Sequence, residues 1–357
     1  MSTGESIDPE YWDEKKQRPK QNYRYYSRLK RNLDKMERDV ENFRLDLIDK
    51  GVRPTREHFK EAFRAERAVT YAEAKEAFIE WMGVNRSERT VAKFLTTFRA
   101  LERYKRPSFT MFNKTFGEDF STHLYGKGLV NNSVGKYVSN VKTFLSFCYD
   151  RGWITTDYWR KYKILQEEAD ITYLTKEELH ALETVELPET LDKVRGLFLF
   201  GCYTGLRFSD LSRFDKNWIK NGEIVVHMEK TRRPVRIPVL PQAQKLIDKG
   251  LQKMVSQVAN RGIKEACKIA GINDQVIKTR YSAAKKVEIK KPKHEVISFH
   301  DARRTFIILS LEGGTRPEVL MDITGHKSYK DFKKYIKIVP KVRDFELNVA
   351  WKKVSSS

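Results

Sequence analysis

The chain has 357 residues, with 69 Lys and Arg against 48 Asp and Glu, a formal net charge of +21 and a pI of about 9.7. That balance calls for a polyanionic partner, nucleic acid first, and does not distinguish DNA from RNA. It excludes little else, but no apolar run reaches the roughly 18 residues that cross a bilayer, and the opening MSTGESIDPEYWDEKK has no apolar core of a secretory signal.

Length predicts two or three domains. Residues 1–22 are polar, with Trp12 between Pro9 and Pro19, and read as an extended lead-in. A helix is predicted from Tyr23 to Lys50, where Tyr26, Leu29, Leu33, Met36, Val40, Phe43 and Leu47 repeat at alternating three- and four-residue steps. Gly51 stops it, and Thr55 after Pro54 is the N-cap of a second helix. A helical hairpin packing on its neighbour is favoured over self-association through the stripe. Val69 to about Lys163 reads as a helical domain, with Thr70 capping YAEAKEAFIEWM and Ser87-Glu88 opening the next helix. Phe109 to Tyr125 is a third helical region, broken at Gly117. In NNSVGKYVSNVKTFLSFCYDRGWI, Val134, Tyr137, Val138, Val141, Phe144, Leu145 and Cys148 share one face. Asn131, Asn132, Ser133, Lys136, Asn140, Lys142 and Thr143 fall mostly on the other. Such a face suits DNA backbone contacts and some base reading, although an ordinary solvated face carries half the weight.

KILQEEADIT, from Lys163 to Thr172, is the expected linker. Order restarts with a capping box, Thr175 and Glu178. KVRGLFLFGCYTGLRFSDLSRF predicts a helix, a glycine break and a second helix, and NGEIVVHMEKTRRPVRIPV predicts a β-hairpin with a tight turn at Asn221-Gly222 and a basic turn at KTRR. Pro241 to Val258, Lys264 to Ala270 and Asn273 to Ala284 are expected to be helical. After Pro340, Val342, Phe345, Val349 and Trp351 mark a short amphipathic helix. Cys148, Cys202 and Cys267 are odd in number and lack a C-x-x-C pair, which fits a reducing compartment and argues against a disulfide framework or zinc module. No Walker loop, HExxH or GxGxxG is present.

The most informative stretch is VISFHDARRTFIILSLEGGTRPEVLMDITGHKSYKDFKKYIKI, Val296 to Ile338. His300 and Arg303 are three apart at the start of a predicted helix capped by Ser298. They therefore share a face near its positive end. His326 follows Gly325, and Tyr335 comes nine residues later. Alone, each is unremarkable: a histidine is usually structural, and a tyrosine among sixteen is usually a core or rim residue. Together they have the types that phosphodiester transesterification needs. A phenol of pKa about 10 is only about one part in a thousand ionised at neutral pH and needs a base or a strongly positive site. Two guanidiniums can fork onto the non-bridging oxygens and hold the charge of the pentacoordinate state.

The order H-x-x-R, G-H, then Y resembles the C-terminal signature of the tyrosine recombinases, the integrase family. The resemblance covers residues 69 to 340 and implies a catalytic set of Arg207, Lys230, His300, Arg303, His326 and Tyr335. Arg207, in CYTGLRFSDL, stands where the family has its first catalytic arginine, with Asp210 as the supporting acidic neighbour; a buried structural Arg–Asp pair is the alternative. Lys230 lies where the family carries a mobile general-acid lysine on a hairpin, and Arg232 and Arg233 beside it leave that assignment open. The implied roles are Tyr335 as nucleophile, His300 as its base, His326 as donor to a non-bridging oxygen and Lys230 as proton source for the departing 5′ hydroxyl. No metal and no other cofactor is expected. IDPEYWDEKKQRPK followed by a long basic helix resembles the end of the arm-site-binding domain in integrases of Bacteroides-type conjugative elements. Such domains begin with a small β-sheet, for which no room is expected ahead of Ser6, so residues 1–66 are expected to be a helical extension, an arm-domain remnant or truncation.

The fold expected is mainly α and multidomain. A SAM-like helical core-binding domain at 67–165 precedes a mixed α/β, mostly helical catalytic domain with a small antiparallel sheet at 173–340. A C-terminal helix and tail follow at 341–357. The function expected is a site-specific DNA recombinase of a mobile element, cleaving and rejoining DNA through a 3′-phosphotyrosyl link. It is expected to act as a homotetramer on two duplexes in the bacterial cytoplasm, with an accessory DNA-bending protein as a further partner. A type IB topoisomerase-like enzyme and a catalytically inactive DNA-binding protein are the rivals.

Overall fold

The computed structural model describes residues 7–62, 69–168, 170–229 and 233–339. Lys230, Arg232 and the predicted C-terminal helix lie outside these residues. The chain divides into two compact units, one of residues 1–127 and 133–165 and one of 128–132 and 166–357.

The first unit opens with a 3-10 turn, Pro9–Tyr11, capped by the Asp8 carboxylate. A two-residue antiparallel pair then joins Trp12–Asp13 to Arg18–Pro19. The lead-in read as extended from sequence thus holds a small strand pair. The helix Tyr26–Asp49 follows, and Arg18 pairs with its Glu37 and Asp34. Of the apolar stripe only Leu29 is buried; the rest is half-covered, Phe43 by an edge-on contact with Phe59 of the helix Arg56–Ala62 at 5.5 Å. Gly51, at φ 71°, ends the first helix as its missing side chain permits.

Tyr71–Asn85, Glu88–Tyr104, Phe116–Gly126 and Asn131–Asp150 form the helical bundle of this unit. Thr70 and Glu73 close a capping box on the first of them. The core is aromatic: Phe78 meets Phe144 at 5.4 Å and Phe147 at 5.0 Å, and Phe98 meets Phe144 at 5.1 Å, all edge to face. Gly117 does not break a helix, as expected from sequence, but lies in the first turn of Phe116–Gly126. A Cβ there would stand 2.7 Å from the Tyr162 ring, so the glycine is a packing requirement.

The second unit is built round the helix Glu189–Thr204. The helices Pro241–Lys249, Ser256–Ile269 and Phe299–Glu312 pack against it. Leu197, Phe198, Phe200, Ile224, Ile237, Ile263 and Phe299 are among its core residues. Each fully buried side chain of this size contributes about 1.5–3 kcal/mol relative to exposure. A three-stranded antiparallel sheet, Ile219–Lys220, Glu223–His227 and Pro234–Pro238, lies to one side, in register Ile224 with Ile237 and Val226 with Val235. Those four side chains are buried while the alternating positions are more exposed.

Asn273 to Ala284 is not helical. Gln275–Ser282 and Lys285–Pro292 form an antiparallel hairpin, in register from Gln275 with Pro292 to Ser282 with Lys285. The β-branched and aromatic residues Val276, Ile277, Thr279 and Tyr281 favour a strand once Lys285–Pro292 supplies a partner. Asp170 accepts from the Thr279 N–H at 2.9 Å and Glu167 from the Tyr281 N–H at 3.2 Å, which satisfies edge groups that would otherwise be unpaired.

Candidate active site

Three short helices carry the C-terminal signature. Phe299–Glu312 holds His300 and Arg303, Pro317–Thr324 ends just before Gly325-His326, and Tyr329–Ile336 holds Tyr335. The Asp301 carboxylate accepts from the Ser298 N–H and hydroxyl, both at 2.7 Å, and fixes the start of the first helix. Gly325 at φ 64° is the left-handed cap of the second, which places His326 so that its N–H donates to Met321 O at 2.9 Å.

Arg303 is 1 % exposed. Its Nη1 donates to Gly205 O at 2.8 Å and its Nη2 to Thr324 O at 2.5 Å, and Nη2 also lies 3.4 Å from His326 Nδ1. The approach to Gly205 depends on glycine: φ is 65°, and a Cβ would meet Phe306 at 2.5 Å. Burial, and then the Arg207 charge, push the Arg303 guanidinium down to about 9, with Tyr335 and Asp210 opposing. Two arginines crowded together with too little counter-charge are suited to an arriving anion.

Arg207 is the N-cap residue of the short helix Phe208–Leu211 and is half-buried. Its Nη1 is enclosed and has no hydrogen-bond partner. Burial lowers its pKa, against the opposing pull of Asp210 and Tyr335. Asp210 is fully buried but is not ion-paired to Arg207: its Oδ1 accepts from Arg213 Nη2 at 2.8 Å and from the Glu229 N–H at 3.0 Å. It thereby ties the short helix to Glu229, just beyond the strand Glu223–His227. The Met228 N–H donates to Arg233 O at 2.8 Å, and Arg233 itself is exposed.

Tyr335 is 1 % exposed and packs against Phe332, with ring centroids 5.5 Å apart, and against His326, at 6.0 Å. Burial raises the phenol above its ordinary value, while the nearby Arg303, Arg304 and Arg207 pull it down. His326 is pushed down to about 3 by burial and then by Arg303, Arg207, Lys334 and His300. His300 goes down to about 4, through burial and then Arg304, Arg303, Lys334 and Arg207. Since the His300 side chain keeps an open face, the four cations are the firmer cause. Both imidazoles are neutral at pH 7 and able to accept a proton.

The structure therefore brings Arg207, His300, Arg303, His326 and Tyr335 into one electrostatic neighbourhood. Arg304 was not singled out from sequence: it is anchored to Asp301 at 2.6 Å and acts on both Tyr335 and His300. Its signal was the Arg303-Arg304 doublet. Lys334, over the Tyr335 ring at 5.1 Å, was also missed.

The candidate DNA-contact residues of the helix Asn131–Asp150 are largely engaged within the protein. Asn131 binds Glu167 at 2.6 Å and the Ala283 backbone, and Asn132 binds both main-chain groups of Glu167. Asn140 donates to Thr97 at 2.9 Å, Lys142 to Arg160 O and Tyr162 O, and Thr143 to Ser139 O. Ser133 is half-buried and Lys136 is exposed.

Three family models match successive parts of the sequence. Residues 1–60 match an Arm DNA-binding domain, 70–164 a phage integrase SAM-like domain and 172–341 the phage integrase family. No curated protein matches the chain. Among solved structures, a lambda integrase tetramer bound to a Holliday junction is similar over 92% of this chain and 93% of its own, with TM-score 0.59 and 15% identity. A lambda integrase dimer on a COC′ core site covers 91% of each chain, with TM-score 0.59 and 16% identity. The Tn1549 transposon integrase in complex with transposon right end DNA covers 74% of this chain and 94% of its own, with TM-score 0.57 and 16% identity. These likenesses are of fold. Among the described residues no helix is long and apolar enough to cross a membrane.

Proposed function

We propose that this chain, which belongs to the phage integrase family of site-specific tyrosine recombinases, uses Tyr335 as its nucleophile on a scissile phosphodiester. The observation that carries the reading is the buried Tyr335 beside His326 and a pair of cations, Arg207 and Arg303, that lack matching counter-charge.

In this account the Tyr335 oxygen attacks phosphorus, the bond to the 5′ oxygen breaks, and a 3′-phosphotyrosyl ester forms. His300, neutral at pH 7, accepts the phenol proton. The unsatisfied Nη1 of Arg207 and the N–H groups of Arg303 that are not given to Gly205 O and Thr324 O bind the non-bridging oxygens, with His326 as a further donor once the anion is present. Arg304 steadies the forming phenolate. Lys230, which follows the Glu229 held by Asp210, protonates the departing 5′ hydroxyl, with Arg232 and Arg233 as the other candidates. The ester conserves the bond energy, so the 5′ hydroxyl of another strand can displace Tyr335.

The finer reading is an integrase of a Bacteroides-type mobile element that acts as a tetramer on two duplexes, with an accessory bending protein. Residues 67–165 and 173–340 each contact the core DNA, and 1–66 bind separate arm sites. Lys136 and Arg233 are the exposed members of the candidate DNA-contact set. The lambda integrase structures, a dimer on a core site and a tetramer on a junction, support that assembly by analogy.

The test is covalent trapping on a library of nicked duplexes, read on a denaturing gel. Wild type is expected to give a protein–DNA adduct and Tyr335→Phe none while still binding DNA. Tight DNA binding by wild type with no adduct across sequences and salts would overturn the reading in favour of a binding protein.

A further inference from the structure

Thr324 is completely buried and is the last residue of the helix before Gly325. Its hydroxyl donates back to Leu320 O, one turn earlier, and the same oxygen lies 2.7 Å from His326 Nδ1. A hydroxyl has a single hydrogen. Since Leu320 O receives it, Oγ1 can only accept from the imidazole, and the hydrogen between Thr324 and His326 belongs to Nδ1.

Arg303 Nη2 favours the opposite arrangement, because a donor near Nδ1 prefers a bare nitrogen. That contact is weaker, at 3.4 Å, and the same Nη2 already donates to Thr324 O at 2.5 Å. The close hydroxyl prevails. Neutral His326 thus has its hydrogen on Nδ1, and Nε2 presents a lone pair.

We propose that Thr324 is a positioning residue that fixes His326 in the Nδ1–H tautomer, so that Nε2 is a proton acceptor in the free protein and becomes a donor only when a bound anion's charge lets it take up a proton from solvent. This rests on the reading of the site as a phosphoryl-transfer centre. The groups facing His326 are Arg303, Arg207, Lys334 and His300, all of which oppose its charge, together with Tyr335. With the site empty, nothing there supports an imidazolium. A phosphate between Arg207 and Arg303 supplies the missing negative charge. Nε2 then takes a proton from solvent, keeps it, and hydrogen-bonds through it to a non-bridging oxygen, while Nδ1–H remains on Thr324. Phosphate binding at this site is therefore coupled to the uptake of a proton.

The test has two parts on the full-length chain. In the first, nitrogen-15 NMR of histidine-labelled protein without DNA, with His326→Gln for assignment, reads the tautomer directly. Wild type and Thr324→Ser are expected to show Nδ1–H, and Thr324→Val, matched in shape, to move the hydrogen to Nε2. A wild type with Nε2–H, or a Val variant with an unchanged tautomer, would overturn the proposal. In the second, single-turnover cleavage of a trapped nicked duplex is followed against pH. Thr324→Val is expected to cleave about 10- to 100-fold more slowly, the size of one hydrogen bond to a charged group, with Thr324→Ser restoring the rate and the pH profile. A Val variant that melts like wild type and cleaves at its rate would overturn the catalytic half. Absence of any Tyr335 adduct in wild type, with the tautomer behaving as expected, would overturn the phosphoryl-transfer reading and support the hydrogen assignment.

Discussion

Arg303 commits donors on both terminal nitrogens to main-chain carbonyls, Gly205 O and Thr324 O, before any phosphate arrives. A lysine would keep the charge but not the planar fork. Arg303→Lys is therefore expected to reduce single-turnover adduct formation about 100- to 1,000-fold, as loss of one preorganised electrostatic contact does. A rate near wild type would show that a point charge suffices. The two histidines make a second prediction, about acid. Their folded pKa values lie below the unfolded one, at about 4 for His300 and about 3 for His326. Above about pH 6.5 both states are neutral and nothing depends on pH. Below it the unfolded chain takes up protons that the folded site refuses, so stability falls as acid is added. Melting curves at pH 7 and pH 5 should show a drop for wild type that His326→Gln reduces and that bound DNA also reduces; an unchanged drop in His326→Gln would remove His326 as its source. The signature residues were legible because short fixed spacings in one stretch put them together. Asp210 was legible as an acid but not in its partner: Arg207 and Arg213 are both three residues away, so spacing could not choose between them, and the structure pairs it with Arg213. Thr324 gave no signal, because its use depends on a turn that folds His326 back over it.

At the level of elements, Gly205 is where two helices are permitted to meet. Gly205→Ala would combine a left-handed backbone at φ 65° with a Cβ 2.5 Å from Phe306. The expected cost is about 1–3 kcal/mol from the backbone alone, read as a lower melting temperature together with weaker cleavage through a displaced Arg303. Unchanged melting would mean that Phe306 moves aside freely. The helix–glycine–helix at Arg207 and the β-hairpin before it closes at Arg233 were both readable, because caps, glycines and alternation are local. The Gln275–Pro292 hairpin was not. Val276, Ile277, Tyr281 and Ala284 also fit helical spacing, and what decides for the strand is the partner segment and the Asp170 and Glu167 carboxylates on its edge, all non-local. Gly117 was misread for the same reason, since its partner Tyr162 is far along the chain.

Over the whole molecule the charge of +21 governs association with DNA before any chemistry starts. A protein that neutralises about 6–10 phosphates loses on the order of 10³–10⁵ in affinity between 50 and 200 mM salt. The same steep linear fall of log affinity with log salt is expected here on non-specific duplex, by fluorescence anisotropy, and Lys136→Ala should make the slope shallower by about one phosphate's share. A flat profile would show that the basic surplus lies away from the DNA. Composition announced a polyanion without choosing DNA over RNA, and the choice of DNA came from the C-terminal signature. The N-terminal segment was less legible, because a two-residue strand pair leaves no alternation to read.

The central claim is that one tyrosine becomes the covalent link to DNA, and the most direct measurement is to locate that link. The trapped adduct would be digested with nuclease and protease and the nucleotide-bearing peptide sequenced by mass spectrometry. Modification at Tyr335, buried beside His326 and the arginines, is the predicted result. Modification at another residue, such as Tyr329, 53 % exposed on the same helix, would contradict the account.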